Sequence, residues 1–201
     1  MALKLDELRI LTATHSPDCV AVTETWLNKT IPDSILFIPN YSLFRVDRPD
    51  RIGGGVCLYI NDKLWPESVE QLSFRGIESI TVRIKSLDIF MWCLYIPPSL
   101  SSAAHQTILD SMICHFDALI ESYSKSNFII CGDFNDFPTS DFRQLFLCIN
   151  RVESATRGNS FLDQIWGFQN VWKISIQLPP RSELPYQHPT ITVLYYGPLL
   201  Q

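Results

Sequence analysis

The sequence has no C-x-x-C pair, no internal repeat and no low-complexity tract. It also has no uninterrupted apolar run near the roughly 18 residues of a membrane span. Its first residues, Met1-Ala2-Leu3-Lys4-Leu5-Asp6-Glu7, are too charged for a signal peptide. Six cysteines, Cys19, Cys57, Cys93, Cys114, Cys131 and Cys148, stand far apart. Most lie in apolar runs such as Val56-Cys57-Leu58, so they read as reduced core thiols. None pairs with a histidine at clip spacing, which sets a structural zinc site aside. The expectation is a soluble intracellular protein, nuclear or cytoplasmic.

Positive charge is also scarce, with 16 Lys and Arg against 21 Asp and Glu and a formal net charge of -5. A broad basic surface for nucleic acid is thereby excluded, and any contact with a polyanion must be local. Arg45, Arg48 and Arg51 form one positive cluster, and Arg143, Arg151 and Arg157 a looser one. A solvated charged face and a phosphate-binding face are both open readings of these clusters.

What the chain does have is apolar material: 201 residues, 46% hydrophobic, enough for one sizeable core and short for two, so residues 1–201 read as one domain. Leu5, Leu8 and Leu11 predict a short amphipathic helix ending near His15-Ser16-Pro17. A buried strand over 18–24 follows, ending in the carboxylate of Glu24. Further strands are predicted over 41–46, 56–60, 79–84, 89–96, 128–131, 171–178 and 191–196, each β-branched or aromatic and bounded by turn residues. Ile108, Leu109, Met112, Ile113, Phe116, Leu119, Ile120 and Tyr123 share one helical face, which predicts a helix over 103–123 capped after Ser101-Ser102. A weaker helix is predicted over 140–147. Many strands with few helices suggest a mixed, layered α/β domain.

The chemistry concentrates in Ile129-Ile-Cys-Gly-Asp-Phe-Asn-Asp136. A strand runs into Gly132, after which Asp133 and Asn135, two apart, are expected to project to one side of the extended chain. A carboxylate beside an amide can hold a hard cation, a phosphoryl oxygen or an attacking water. The same residues can also simply close a strand-ending turn. Glu24 ends a distant strand, so the two carboxylates could meet at one sheet edge.

Five segments occur in a telling order: Thr23-Glu24-Thr25-Trp26-Leu27, Gly53-Gly54-Gly55-Val56, Tyr95-Ile96-Pro97-Pro98-Ser99, Gly132-Asp133-Phe134-Asn135, and Ser160-Phe161-Leu162-Asp163-Gln164-Ile165. Through them nearly the whole chain resembles the endonuclease/exonuclease/phosphatase domain of LINE-type (non-LTR) retrotransposons. The resemblance implies a layered sandwich of two mixed β-sheets flanked by helices. It also implies a Mg²⁺-dependent hydrolase, with Mn²⁺ as a substitute, that nicks DNA to leave a 3′-hydroxyl for reverse transcription. The reverse transcriptase normally sits on the same polypeptide. By the same resemblance Glu24 is the metal ligand, Tyr95 touches the scissile phosphate, Asp133 positions or deprotonates the water, and Asn135 holds a phosphate oxygen. Asp163 orients a histidine, for which His188 is the candidate, while Arg157 and Gly53, Gly54 and Gly55 lie near the nucleic-acid backbone.

The sequence departs from that pattern in two places. Family members carry Ser-Asp-His near the end, whereas here Tyr186-Gln187-His188 puts a neutral amide where a carboxylate is expected. An amide cannot accept a proton, and losing a general acid or base costs on the order of 10²- to 10⁴-fold in rate. Family domains also begin with an asparagine-bearing strand before the helix that Met1 opens here. Absence of that strand is expected to expose sheet edges and lower stability. The alternatives are therefore a catalytically impaired remnant, a weak nucleic-acid-binding module, or a phosphatase or phosphodiesterase of the same superfamily acting on phospholipid or inositol phosphates.

Overall fold

Alternation along a few strands sets up the layers seen in the computed structural model, which describes residues 5–49, 53–69, 76–98, 100–146, 149–150, 163–167 and 191–194. The elements in order are α1 (Leu5–His15), β1 (Cys19–Thr23), β2 (Tyr41–Val46), β3 (Val56–Asn61), β4 (Pro66–Ser68), β5 (Glu78–Ile84), β6 (Ile89–Tyr95), α2 (Ser102–Ser122), β7 (Asn127–Asp133), α3 (Phe142–Leu145), β8 (Ile149–Asn150), β9 (Asp163–Gly167) and β10 (Ile191–Leu194). They form a four-stranded sheet in the order β10-β1-β3-β2 and a six-stranded sheet in the order β4-β5-β6-β7-β9-β8. The pairs of the first sheet are antiparallel. The second sheet is mixed, because β6 and β7 run parallel. A parallel pair needs a crossover, and α2 supplies it.

Every residue of β6 is buried, so period two separates two cores rather than core from solvent. Ile89, Met91, Cys93 and Tyr95 face the first sheet, meeting Cys19, Ala21, Val56, Leu58 and Ile60. Phe90, Trp92 and Leu94 face the other way, against Ile108, Met112 and Phe116 of α2. On the far side of the first sheet, Leu8 of α1 packs on Val20, Val22, Cys57 and Tyr59. The result is helix, sheet, sheet, helix: the layered sandwich expected from the sequence.

The long helix begins one residue before its predicted start, with Ser101 accepting from the Ala104 N–H at 3.2 Å. The weaker helix shrinks to the single turn of α3. Strands β4, β8 and β9 had no predicted counterpart. The first two are three and two residues long, too short to show alternation, and β4 opens on a proline that only an edge position tolerates. The strand predicted over 171–178 lies outside the described residues. β1 is hydrogen-bonded on both sides, by β3 and β10. Of the described cysteines, Cys19, Cys57, Cys93 and Cys131 are reduced thiols buried in the core, whereas Cys114 is exposed on α2. No helix among the described residues is long and apolar enough to cross a membrane.

Candidate active site

The inward face of the second sheet changes chemistry at one rim. Going outward along β5 the inward residues are Ile84, Val82 and Ile80, then Glu78; along β6 they are Ile89, Met91 and Cys93, then Tyr95; along β7, Ile129 and Cys131, then Asp133. Register places Glu78 opposite Tyr95, Tyr95 opposite Asp133, and Asp133 opposite Asp163. Four polar residues from four strands therefore form one row. Gly132 makes the close approach of β6 and β7 feasible: a Cβ there would stand 1.8 Å from the Leu94 carbonyl oxygen, and its φ is +141°.

Glu24 arrives from the opposing sheet, just past the end of β1. Glu24 and Trp26 both have φ of +55°, a conformation that bulky side chains rarely adopt. The turn is fixed by backbone bonds from Thr25 N to Gly55 O at 3.3 Å and from Trp26 N to Gly54 O at 3.0 Å. Glu24 Oε2 accepts from the Gly54 N–H at 3.0 Å and from the Trp26 indole N–H at 2.5 Å. The glycines are required by space as well as by positive φ. A Cβ on Gly54 would lie 2.3 Å from the Arg48 guanidinium carbon, and one on Gly55 2.5 Å from Thr25 Oγ1.

The two halves meet at Tyr95. Burial first, then a hydrogen bond to Glu24 and the negative charges of Glu24 and Asp133, push the phenol well above its ordinary range, while Arg48 opposes them. The hydroxyl therefore keeps its proton at neutral pH. Glu24 and Asp133 thus both act on the Tyr95 hydroxyl. Asn135 joins them by a route that strand alternation does not provide. The chain turns after Asp133, Asn135 takes φ of +48°, and its N–H donates to Asp133 Oδ1 at 3.0 Å. Its side-chain Nδ2 donates to Ile96 O at 2.8 Å, using one of two amide hydrogens. The turn-forming reading of this segment is what the geometry shows.

Two arginines of the first cluster, Arg45 and Arg48, are already paired with acids. Arg48 forks onto Glu78, Nε to Oε1 at 2.6 Å and Nη2 to Oε2 at 2.7 Å, with both side chains about 10% exposed. Arg45 pairs with Asp33 at 3.1 Å and Asp47 at 3.5 Å. Glu78 was not singled out from the sequence, and Arg48 stood out there only as part of a charge cluster. Glu78 carried a signal nonetheless, standing in phase with Ile80, Val82 and Ile84 where an apolar residue belongs. Arg51, Arg157, Gln187 and His188 lie outside the described residues, and Asp163 is placed by its backbone register.

Among the described residues no three His, Cys, Asp or Glu side chains gather as a metal cage. Mg²⁺ does not require one, since it is commonly held by one or two carboxylates, with waters and substrate phosphate completing its shell. Glu24 and Asp133, both acting on the Tyr95 hydroxyl, fit that mode.

A family model described as the endonuclease/exonuclease/phosphatase family matches residues 1–185. No curated protein matches the chain. Among solved structures, the human Nocturnin catalytic domain with bound sulfate aligns with a TM-score of 0.63 at 12% identity, over 98% of this chain and 87% of its own. The 3′ phosphatase NExo from Neisseria, bound to product DNA hairpin, gives 0.61 at 13% identity over 97% and 95%. An AP endonuclease from Archaeoglobus fulgidus gives 0.60 at 17% identity over 94% and 93%. At these identities the likeness is one of fold.

Proposed function

Because the chain belongs to the endonuclease/exonuclease/phosphatase family, whose members are hydrolases, we propose that it cleaves phosphodiester bonds of DNA with a divalent ion, Mg²⁺ or Mn²⁺. The observation that carries this reading is the polar row Glu78-Tyr95-Asp133-Asp163 at the rim, with Glu24 folded in from the opposite sheet. A bound cation would be held by Glu24, with Asp133 beside it, and would stabilise negative charge on the phosphate.

The chain's own groups do the rest. Tyr95, protonated at neutral pH, donates to a phosphate oxygen. Asp133, held by the Asn135 N–H, orients and deprotonates the attacking water. The second amide hydrogen of Asn135 is suited to a phosphate oxygen. His188, oriented by Asp163, stabilises charge on the pentacovalent phosphorus. Gly53, Gly54, Gly55 and Arg157 lie along the nucleic-acid backbone. The wording of the Thr-Glu-Thr-Trp-Leu and Tyr-Ile-Pro-Pro-Ser segments favours the LINE-type branch, hence DNA nicking that leaves a 3′-hydroxyl, in partnership with a reverse transcriptase and in the nucleus or cytoplasm.

A second reading, an impaired remnant, is favoured by Gln187 alone. Supercoiled-plasmid nicking with Mg²⁺ decides between them. Nicking that EDTA and Asp133→Ala both abolish supports the enzyme. DNA binding without nicking supports the remnant, release of phosphate from inositol phosphates in place of nicking supports the phosphatase branch, and nicking indifferent to EDTA rejects the mechanism.

A further inference from the structure

We propose that the Arg48–Glu78 pair is a positioning strut, setting where Glu24 and the Tyr95 hydroxyl stand by its shape rather than by its charge. The pair touches both halves of the rim. Arg48 Cζ lies 5.4 Å from the centre of the Tyr95 ring. Its guanidinium fills the space that a Cβ on Gly54 would occupy, and Gly54 is the residue whose N–H holds Glu24 Oε2. Glu78 receives the Gly55 N–H at 3.5 Å and is the register partner of Tyr95. The glycine loop is therefore clamped from beneath by one planar fork, and Glu24 hangs from that loop.

A bidentate guanidinium–carboxylate pair has a fixed geometry that a lysine ammonium cannot reproduce. Both side chains are largely buried, so the pair is shielded from screening and from exchange with water. Groups that hold a metal ligand in place typically change metal affinity by roughly 10- to 100-fold when altered.

The inference rests on the reading of Glu24 as a cation ligand, and two measurements on the full chain separate the two. The first is Mn²⁺ binding, with Mn²⁺ alone as probe, followed by electron paramagnetic resonance. Arg48→Lys and Glu78→Asp keep both charges and change the fork, so each is expected to weaken Mn²⁺ binding by roughly 10-fold or more. Arg48→Met is expected to weaken it too, although removing a cation near the site would tighten it if charge alone mattered. Val82→Ala, a core truncation away from the rim, leaves Mn²⁺ affinity unchanged at a comparable loss of thermal stability. Wild-type affinity in Arg48→Lys and Glu78→Asp, or tighter binding in Arg48→Met, overturns the strut.

The second measurement needs no metal. The Trp26 indole N–H resonance, assigned by loss in Trp26→Phe, reports the bond to Glu24. It is expected to move toward a free indole in Arg48→Lys and Glu78→Asp. Should the wild type bind no Mn²⁺ while this resonance moves, the strut stands and the cation reading falls. A resonance that stays put in both variants overturns the strut, whatever the metal does.

Discussion

The two faces of the second sheet are built from different materials. Toward the first sheet it presents Ile80, Val82, Ile84, Ile89, Met91, Cys93, Ile129 and Cys131, with Tyr95 its one buried aromatic. Toward α2 and α3 the cluster holds Phe90, Trp92, Phe116, Phe128, Phe134, Phe137, Phe142, Phe146 and Trp166. Sheets stack about 10 Å apart, a gap that branched aliphatic side chains fill by interdigitation. A helix on a sheet leaves a less regular space, which ring pairs such as Phe116 and Phe146, centroids 5.0 Å apart and nearly perpendicular, fill well. The aliphatic layer ends in the polar row, whereas among the described residues the aromatic layer carries no comparable row of acids. One face thus holds the candidate chemistry and the other anchors the sheet that aims it.

Gly132→Ala is the harshest way to break this division, since the new methyl would strike the Leu94 backbone and force β6 and β7 apart, damaging both faces at once. The expected loss is on the order of 4 kcal/mol, read by urea denaturation, together with loss of any DNA nicking. Next, Phe116→Ala opens a cavity on the aromatic face and should cost about 3–5 kcal/mol. Its nicking rate per folded molecule should stay at the wild-type level, and a large fall would show that the faces are not separable.

His115 gives the aromatic face a pH dependence. It is buried between Thr81, with its Nε2 3.1 Å from the hydroxyl, and the Trp92 ring at 4.7 Å, and burial lowers its pKa to about 4 from 6.5. The unfolded chain takes up a proton as pH falls through 6.5, while the folded chain stays neutral until about 4. Stability is therefore complete above pH 6.5 and declines between 6.5 and 4, by on the order of 3 kcal/mol. Denaturation at a series of pH values should show this decline and its disappearance in His115→Gln. An unchanged slope in that variant would reject it.

The smallest expected stability effect lies at the rim. Tyr95→Phe removes a hydroxyl that faces two acids and should shift stability by less than about 1 kcal/mol in a melt. Nicking should nevertheless fall roughly 10²-fold, as for loss of one donor to developing charge. A melt that drops as far as that of Phe116→Ala would make Tyr95 a core aromatic and erase the contrast between the faces.

Much of the fold was legible in the sequence. Three-and-four spacing marked α2, β-branched runs marked most strands, and Ser101 marked a cap. Strands β4, β8 and β9 were not, being too short or too irregular for alternation to show. At the site, Glu24, Tyr95, Asp133 and Asn135 were each legible as motif residues. The way Asn135 reaches the group was not, because a left-handed turn replaces the extended geometry that sequence spacing assumes. The arginines stayed open in the sequence for a related reason: proximity along the chain shows clustered charge, and only the fold reveals that Arg48 is already occupied by Glu78, thirty residues away.

The sequence by itself determined most of the strands and the long helix and which polar side chains stand out as candidates, because periodicity and side-chain chemistry are local properties. Tertiary structure alone decided that Glu78, Tyr95, Asp133 and Asp163 share one row and that Glu24 hangs over it from a glycine loop braced by Arg48. Register and sheet stacking join residues far apart in the chain, and no local pattern encodes those pairings.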